Sequence, residues 1–263
     1  MMIDYTKRKG FYTMPVQHTH NEYELYYLFT GERDYFIRDR TYRVKRGDFV
    51  FIEKNELHKT VDTGVPNHER IVINFHEQFI SDIPFQTKSG VITLPPQERY
   101  KGEAIIQDLL TEAKGTANGR DIMLSSLLRQ LLLLVFRAQA EHPEVEQPSN
   151  VHRIISEIAA YVGAHYMEPI KLHDIAAQFF ISPYYLSRKF NICTGFGFSE
   201  YVQLVRIRES QRLLRETNLK MIEISEQIGM ESVANFYKLF KQVSGCSPLQ
   251  YRKRQLRDVD SNV

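Results

Sequence analysis

An α+β chain of two domains is the fold class that this sequence predicts: an N-terminal antiparallel β-barrel with a helical pair, then an all-α C-terminal domain holding two helix-turn-helix units. Three observations carry it. Residues 22–75 read as closely spaced strands, the text after residue 150 is helical nearly to its end, and inside that helical half one pattern recurs at an offset of 50 residues. A length of 263 residues suits two such domains, each able to bury its own core.

The strand region reads "YELYYLF", "RDYFIR", "TYRV", "DFVFIE", "KTV" and "RIVINF", rich in Tyr, Phe, Val and Ile and separated by short polar turns such as "TGE" and "RGD". Many short strands at close spacing predict a small antiparallel barrel or sandwich. A Pro-containing stretch, "DIPFQTKSGVITLPPQE", ends it, and a helical pair is expected over about 97–115 and 121–140, split by "GTANG". In the second helix Leu124, Leu127, Leu128, Leu131, Leu132 and Val135 follow the three-and-four spacing of one apolar face. Leu133, Leu134 and Phe136 widen that face. Two readings stand: the helix covers the barrel core, or Leu124, Leu127, Leu128, Leu131 and Val135 meet a copy from another subunit in a homodimer.

The segment "AEHPEVEQPSN" carries two prolines and three glutamates. It sets the expected boundaries at 1–140 for the first domain, 141–150 for a linker and 151–263 for the second domain. Overall content is 43% hydrophobic and 25% charged, and no apolar run approaches the ~18 residues of a membrane helix. No apolar segment follows the basic residues of the N-terminus, so a cytoplasmic protein without a membrane partner is expected. The two cysteines, Cys193 and Cys246, form no C-x-x-C pair and read as reduced core residues. The net charge of +2 hides an asymmetry: residues 151–263 hold 15 Lys and Arg against 11 Asp and Glu, so the preceding part is net acidic. An anionic partner is therefore expected at the second half.

The repeat lies there. "LSRKFNICTGFGFSEY" and "FYKLFKQVSGCSPLQY" place Leu186 on Phe236, Phe190 on Phe240, Gly195 on Gly245 and Tyr201 on Tyr251. Each copy is a short helix, a tight turn and a second helix, opened by Ser182 with Pro183 behind it in one copy and by Glu231 or Ser232 in the other. Leu186 with Phe190, and Phe236 with Phe240, stand four apart and anchor one face of each second helix. Tyr184, Ser187, Arg188 and Asn191 are left facing outward in the first copy, and Val233, Tyr237, Lys238 and Lys241 in the second. Helices with such faces enter a DNA major groove, where Arg or Lys reaches guanine and Val meets a thymine methyl. A long connecting helix, "SEYVQLVRIRESQRLLRET", buries Tyr201, Leu204, Ile207 and Leu214 and would hold the two units about one DNA turn (~34 Å) apart.

These residues resemble the C-terminal DNA-binding domain of the AraC/XylS family of bacterial transcriptional regulators. The likeness runs over about 151–256 through "DIA", "SPYYLSRKF", "TGFGFSEYVQLVRIRESQRLL", "ISEQIGMES" and "NFYKLFKQVSGCSPLQYRK". The resemblance implies base reading by Tyr184, Ser187 and Arg188 in the first unit and by Val233, Tyr237 and Lys238 in the second, with Lys189, Asn191 and Lys241 near phosphates. It also implies promoter DNA, a small-molecule effector, a second copy of the chain and RNA polymerase as partners. Ser210 replaces an alanine usual in the connecting helix, Met230 an aromatic, and Lys238 a common arginine. A lysine offers a point charge instead of a bidentate fork, so the second unit is expected to read sequence less strictly.

In the first half, "HTHNEYELYYLFTG" sets His18 and His20 two apart on an extended chain, pointing to one side, with Glu24 following. The stretch resembles the first motif of the cupin sensor domain that many members of that family carry. "GDFVFIEKNELH" resembles the second, with Glu53 and Asn55 where its proline and glycine usually stand. The resemblance makes His18, His20, Glu24 and His58 the residues that line an effector pocket or hold a divalent ion such as Zn, Ni, Mn or Fe. Tyr26, Phe36, Tyr42 and Phe51 are expected to line the pocket, since aromatic faces suit a sugar ring. The leading expectation is a non-enzymatic, sequence-specific regulator responding to a small molecule, a sugar by resemblance. The alternative is a metal-dependent cupin enzyme with an accessory DNA-binding domain, for which the sequence offers no separate base, nucleophile or phosphate-binding loop.

Overall fold

A computed structural model describes residues 1–11, 20–81, 83, 88–141 and 150–260. The first of its two compact units holds strands β1 (Met2–Arg8), β2 (Tyr23–Thr30), β3 (Glu32–Ile37), β4 (Arg40–Lys45), β5 (Asp48–Ile52), β6 (His58–Asp62), β7 (His68–Phe75) and β8 (Gly90–Thr93), then helices α1 (Pro96–Lys114) and α2 (Arg120–Glu141). The second unit is helical: α3 (Asn150–His165), α4 (Leu172–Gln178), α5 (Pro183–Thr194), α6 (Phe198–Glu216), α7 (Met221–Gln227), α8 (Val233–Ser244) and α9 (Pro248–Asp260). His18 and most of the expected linker lie outside the described residues.

The barrel is built from two antiparallel sheets, one ordered β1, β7, β2, β5, β8 and the other β4, β3, β6. Alternation assigns the faces. Tyr26 and Leu28 of β2, Val50 and Ile52 of β5, Tyr35 and Ile37 of β3, and Val44 of β4 form one cluster, so the two sheets face each other over it. The intervening residues Leu25, Tyr27, Phe49, Phe51, Ile71 and Ile73 turn to the other face of the five-stranded sheet, where they pack with Ile106, Leu109 and the leucines of α2. Burial on both faces explains why "YELYYLF" is nearly continuous in apolar and aromatic residues.

Three expectations change here. Leu124, Leu128, Leu131 and Val135 are fully buried in this core and Leu127 is partly buried against it, so α2 covers its own sheet and these residues are not free for a second subunit. Phe51 stacks on Tyr23 at 5.8 Å and meets Phe136 edge-on at 4.9 Å, under the helices and away from the sheet interior. Phe36 is one residue out of phase with Tyr35 and Ile37 and turns to the opposite face of its sheet. Tyr26 and Tyr42 do belong to the interior. Two strands were also not expected, β1 and β8, and they are the two edges of the larger sheet.

In the helical unit the repeat is realised as two helix-turn-helix pairs, α4 with α5 and α7 with α8. Ser182 Oγ accepts from the Tyr185 N–H at 3.1 Å, and Ser232 Oγ accepts from the Asn235 N–H at 3.3 Å, which settles Ser232 as the second cap. The turns differ. Gly229, at φ 71°, occupies the second turn, where an added Cβ would lie 2.3 Å from the Met167 carbonyl oxygen; Phe180, at φ 55°, occupies the first. Leu186, Phe190, Phe236 and Phe240 are all fully buried. In α6 Tyr201, Leu204, Ile207 and Leu214 are buried, and the Ser210 hydroxyl is accommodated by donating to the Ile207 carbonyl at 2.6 Å.

Candidate nucleic-acid interface and barrel site

Capping and burial of one face leave the other side of α5 and α8 in solvent. On α5 Tyr184 is 76% exposed, and Ser187, Arg188 and Asn191 are exposed beside it. Lys189 is half-buried, its ammonium 6.0 Å from the centre of the Tyr185 ring. On α8 Lys238 and Lys241 are exposed, Val233 is half-buried, and Tyr237 packs partly on the core with its ring edge-on to Phe236 at 5.9 Å. Tyr237 therefore presents its rim and hydroxyl, while Tyr184 presents a whole ring.

The distribution of cation partners separates these residues from the arginines of α6. Arg206 donates to the carbonyls of Tyr166 and Glu168, both at 2.8 Å, Arg212 pairs with Glu209 and Glu216, and Arg215 reaches the Tyr251 hydroxyl at 3.0 Å. Among the described residues Arg188, Lys238 and Lys241 make no ion pair with the protein. The guanidiniums of Arg206, Arg212 and Arg215 are thus engaged within the unit, whereas Arg188 of α5 and the ammoniums of Lys238 and Lys241 of α8 stand in solvent.

In the barrel, the end of β2 brings a second group together. His20 precedes β2, its carbonyl accepting the Asn55 N–H at 2.9 Å. Asn55 is at φ 61°, the left-handed conformation for which the related motif uses glycine and which asparagine tolerates better than most side chains. His20 Nε2 is 3.4 Å and His58 Nε2 3.7 Å from Glu24 Oε2, while the Tyr35 hydroxyl donates to Glu24 Oε1 at 2.6 Å. Each imidazole directs Nδ1 at a backbone carbonyl, Glu22 for His20 and Glu56 for His58, both at 2.9 Å. That fixes both Nε2 atoms toward the carboxylate. Burial pushes the Glu24 carboxyl up, but hydrogen bonds from His20, His58 and Tyr35 outweigh it and hold the group well below the usual carboxylate range. For His20 burial pulls the imidazole down, and Glu24 more than compensates, raising it.

One ligand atom from each of His20, Glu24 and His58 lies within 4.8 Å of the others, a set that fits a divalent ion. Tyr35 is the member of this cluster that sequence reasoning missed; its signal was its phase with Ile37 on β3, which puts it on the Glu24 side. Tyr26 meets the Tyr35 ring edge-on at 5.3 Å and belongs to the same interior.

Residues 11–132 match the AraC-like ligand-binding domain and residues 175–254 a helix-turn-helix domain. The chain is 30% identical over 246 residues to an uncharacterized HTH-type transcriptional regulator, YfiF of Bacillus subtilis, covering 89% of this chain and 78% of that one. The chain belongs to the AraC family of helix-turn-helix transcriptional regulators. Another AraC-family relative, the HTH-type transcriptional activator RhaR of Yersinia pseudotuberculosis, is 25% identical over 256 residues, 92% of this chain and 86% of its own. Among solved structures, ToxT from Vibrio cholerae aligns over 95% of this chain and 97% of its own at 14% identity, with a TM-score of 0.41. As an AraC-family chain it joins a DNA-binding domain to a ligand-binding domain. Among the described residues no helix is long and apolar enough to cross a membrane.

Proposed function

We propose that this chain is a one-component, cytoplasmic regulator of transcription. A small molecule held between the sheets of the barrel biases whether α5 and α8 dock together in successive major grooves of a promoter, as a homodimer acting with RNA polymerase. The observation that carries it is the pair of capped helices whose outward cations Arg188, Lys238 and Lys241 make no ion pair among the described residues, set against the α6 arginines Arg206, Arg212 and Arg215, which are engaged. An effector that acts this way must favour one arrangement of the two units over the other, so it must change promoter affinity or activation.

Within this reading Arg188 is the principal base reader and Lys238 a weaker one, because a guanidinium can grip guanine O6 and N7 together and an ammonium cannot. In a mobility-shift titration at fixed salt, Arg188→Ala is expected to abolish discrimination between operator and random duplex, a loss of about 1–3 kcal/mol per base contact. Lys238→Ala is expected to weaken binding less. Equal losses would refute the assignment.

The barrel cluster supports a second reading, that His20, Glu24 and His58 hold a zinc, nickel, manganese or iron ion. When bound, such an ion would supply a Lewis-acidic anchor for a ligand oxygen; the chain's own residues orient the two imidazoles and keep Glu24 ionised. Metal analysis of untagged protein compared with His20→Ala/His58→Ala tests it. Near-stoichiometric metal in the parent and loss in the variant is expected, and equal trace content in both ends the idea. The effector-pocket reading, with a sugar as first expectation, needs no metal, since Glu24 and Tyr35 suffice to bond hydroxyls.

A further inference from the structure

At the other end of the sheet interior from Glu24 stands a cationic group that the reading above does not use. In the pairing of β2 with β7, Glu24 opposes Asn74, Tyr26 opposes Val72 and Leu28 opposes Arg70. In the pairing of β3 with β6, Ile37 opposes His58, Tyr35 opposes Thr60 and Arg33 opposes Asp62. Directly opposed residues share a face. Arg70 and Arg33 therefore enter the same interior as Glu24 and His58, several residues farther along their strands.

Among the described residues the hydrogen bonding of this group is incomplete. Arg33 is 1% exposed, its Nη1 reaches Asp62 Oδ2 only at 3.5 Å, and its Nη2 is buried with no hydrogen-bond partner. Arg70 Nη2 lies 3.0 Å from Asp4 Oδ2, while its Nη1 is also buried and unpartnered. Tyr26, 1% exposed, ends in a buried hydroxyl without a partner. His68, opposite Arg8 in the β1 pairing, is pushed down to about 4 by burial and then by Arg33, Arg70 and Arg8, against the pull of Asp62. Buried donors of this strength without acceptors are rare in folded proteins.

We infer that this end of the barrel binds the carboxylate of a small organic acid, received by Arg33 and Arg70 with the Tyr26 hydroxyl beside them. A guanidinium fork matches a planar carboxylate better than a neutral hydroxyl. With Glu24 at the other end accepting hydroxyl protons, the ligand class is a hydroxylated acid of sugar-acid type. The acid's role as effector rests on the regulator reading; its binding does not.

Thermal melting of the full chain tests the site with gluconate, glucuronate, glucose and inorganic phosphate at matched ionic strength. Both acids are expected to raise the melting temperature with concentration and glucose not to. Arg70→Gln is expected to remove the acid response, and Tyr26→Phe, a change that leaves the fold untouched, to weaken it about tenfold. Arg33→Gln serves as a further check if it folds. A flat response to both acids, a glucose response equal to gluconate, a response to phosphate alone, or an acid response that survives Arg70→Gln would each overturn the inference. An acid that stabilises the chain but leaves promoter affinity unchanged supports the site and removes the effector reading. A neutral sugar that alone alters promoter affinity does the reverse.

Discussion

His68 shows how one residue records the field around it. Its imidazole titrates near 4 in the folded chain, against 6.5 when unperturbed, through burial and through Arg33, Arg70 and Arg8. As pH falls below about 6.5 the unfolded chain takes up a proton that the folded chain refuses, so stability declines until the folded group also titrates near 4. His68→Gln is expected to flatten the pH dependence of the melting temperature over that window, and an unchanged slope would show that the folded imidazole is not held down. At this scale the sequence was only partly legible. His20 and Glu24 stood out by their spacing in "HTHNEYE", and His58 only through the resemblance of "GDFVFIEKNELH" to the second cupin motif. Phe36 and Phe51 were misassigned because both faces of their strands are buried, and an apolar residue carries no mark of which side it takes. Tyr35 went unnoticed for the same reason.

The two helix-turn-helix turns make a comparison within one chain. Gly229 has no room for a Cβ against Met167 and sits at positive φ, so Gly229→Ala is expected to destabilise by more than about 2 kcal/mol in urea unfolding. Phe180 adopts a similar left-handed conformation while 96% exposed, so its ring gains little from packing in exchange for the strain. Phe180→Gly is expected to stabilise by up to about 1 kcal/mol. A destabilisation would show that the ring has a contact within the folded chain. The capped end of α5 was readable because Ser182 and Pro183 precede a buried i, i+4 pair, and that of α8 was readable only to within Glu231 or Ser232, whereas β1 and β8 were not. An edge strand such as "MIDYTKR" buries little and is paired on one side only, so its apolar pattern is faint.

Across the whole molecule each unit closes its own core: the sheets and α1–α2 around Phe49, Phe51 and Leu128, and the helices around Ile207, Phe236 and Phe240. The division into a β-rich part and a helical part was visible because short runs rich in Tyr, Phe, Val and Ile, broken by polar turns, give way to apolar residues at three-and-four spacing, and the internal repeat fixed the helical part further. What a sequence could not settle was where α2 spends its leucines, since a helix apolar around most of its girth can face a sheet or a twin. The answer constrains how a stand-alone sensor is cut. A piece ending at Pro95 strips the roof from Leu25, Phe49, Ile73 and Phe75 and leaves an oily slab in water, so it is expected to precipitate. One ending at Pro148 keeps that roof and is expected to run as a well-behaved species in size-exclusion chromatography, which suits it to ligand titration.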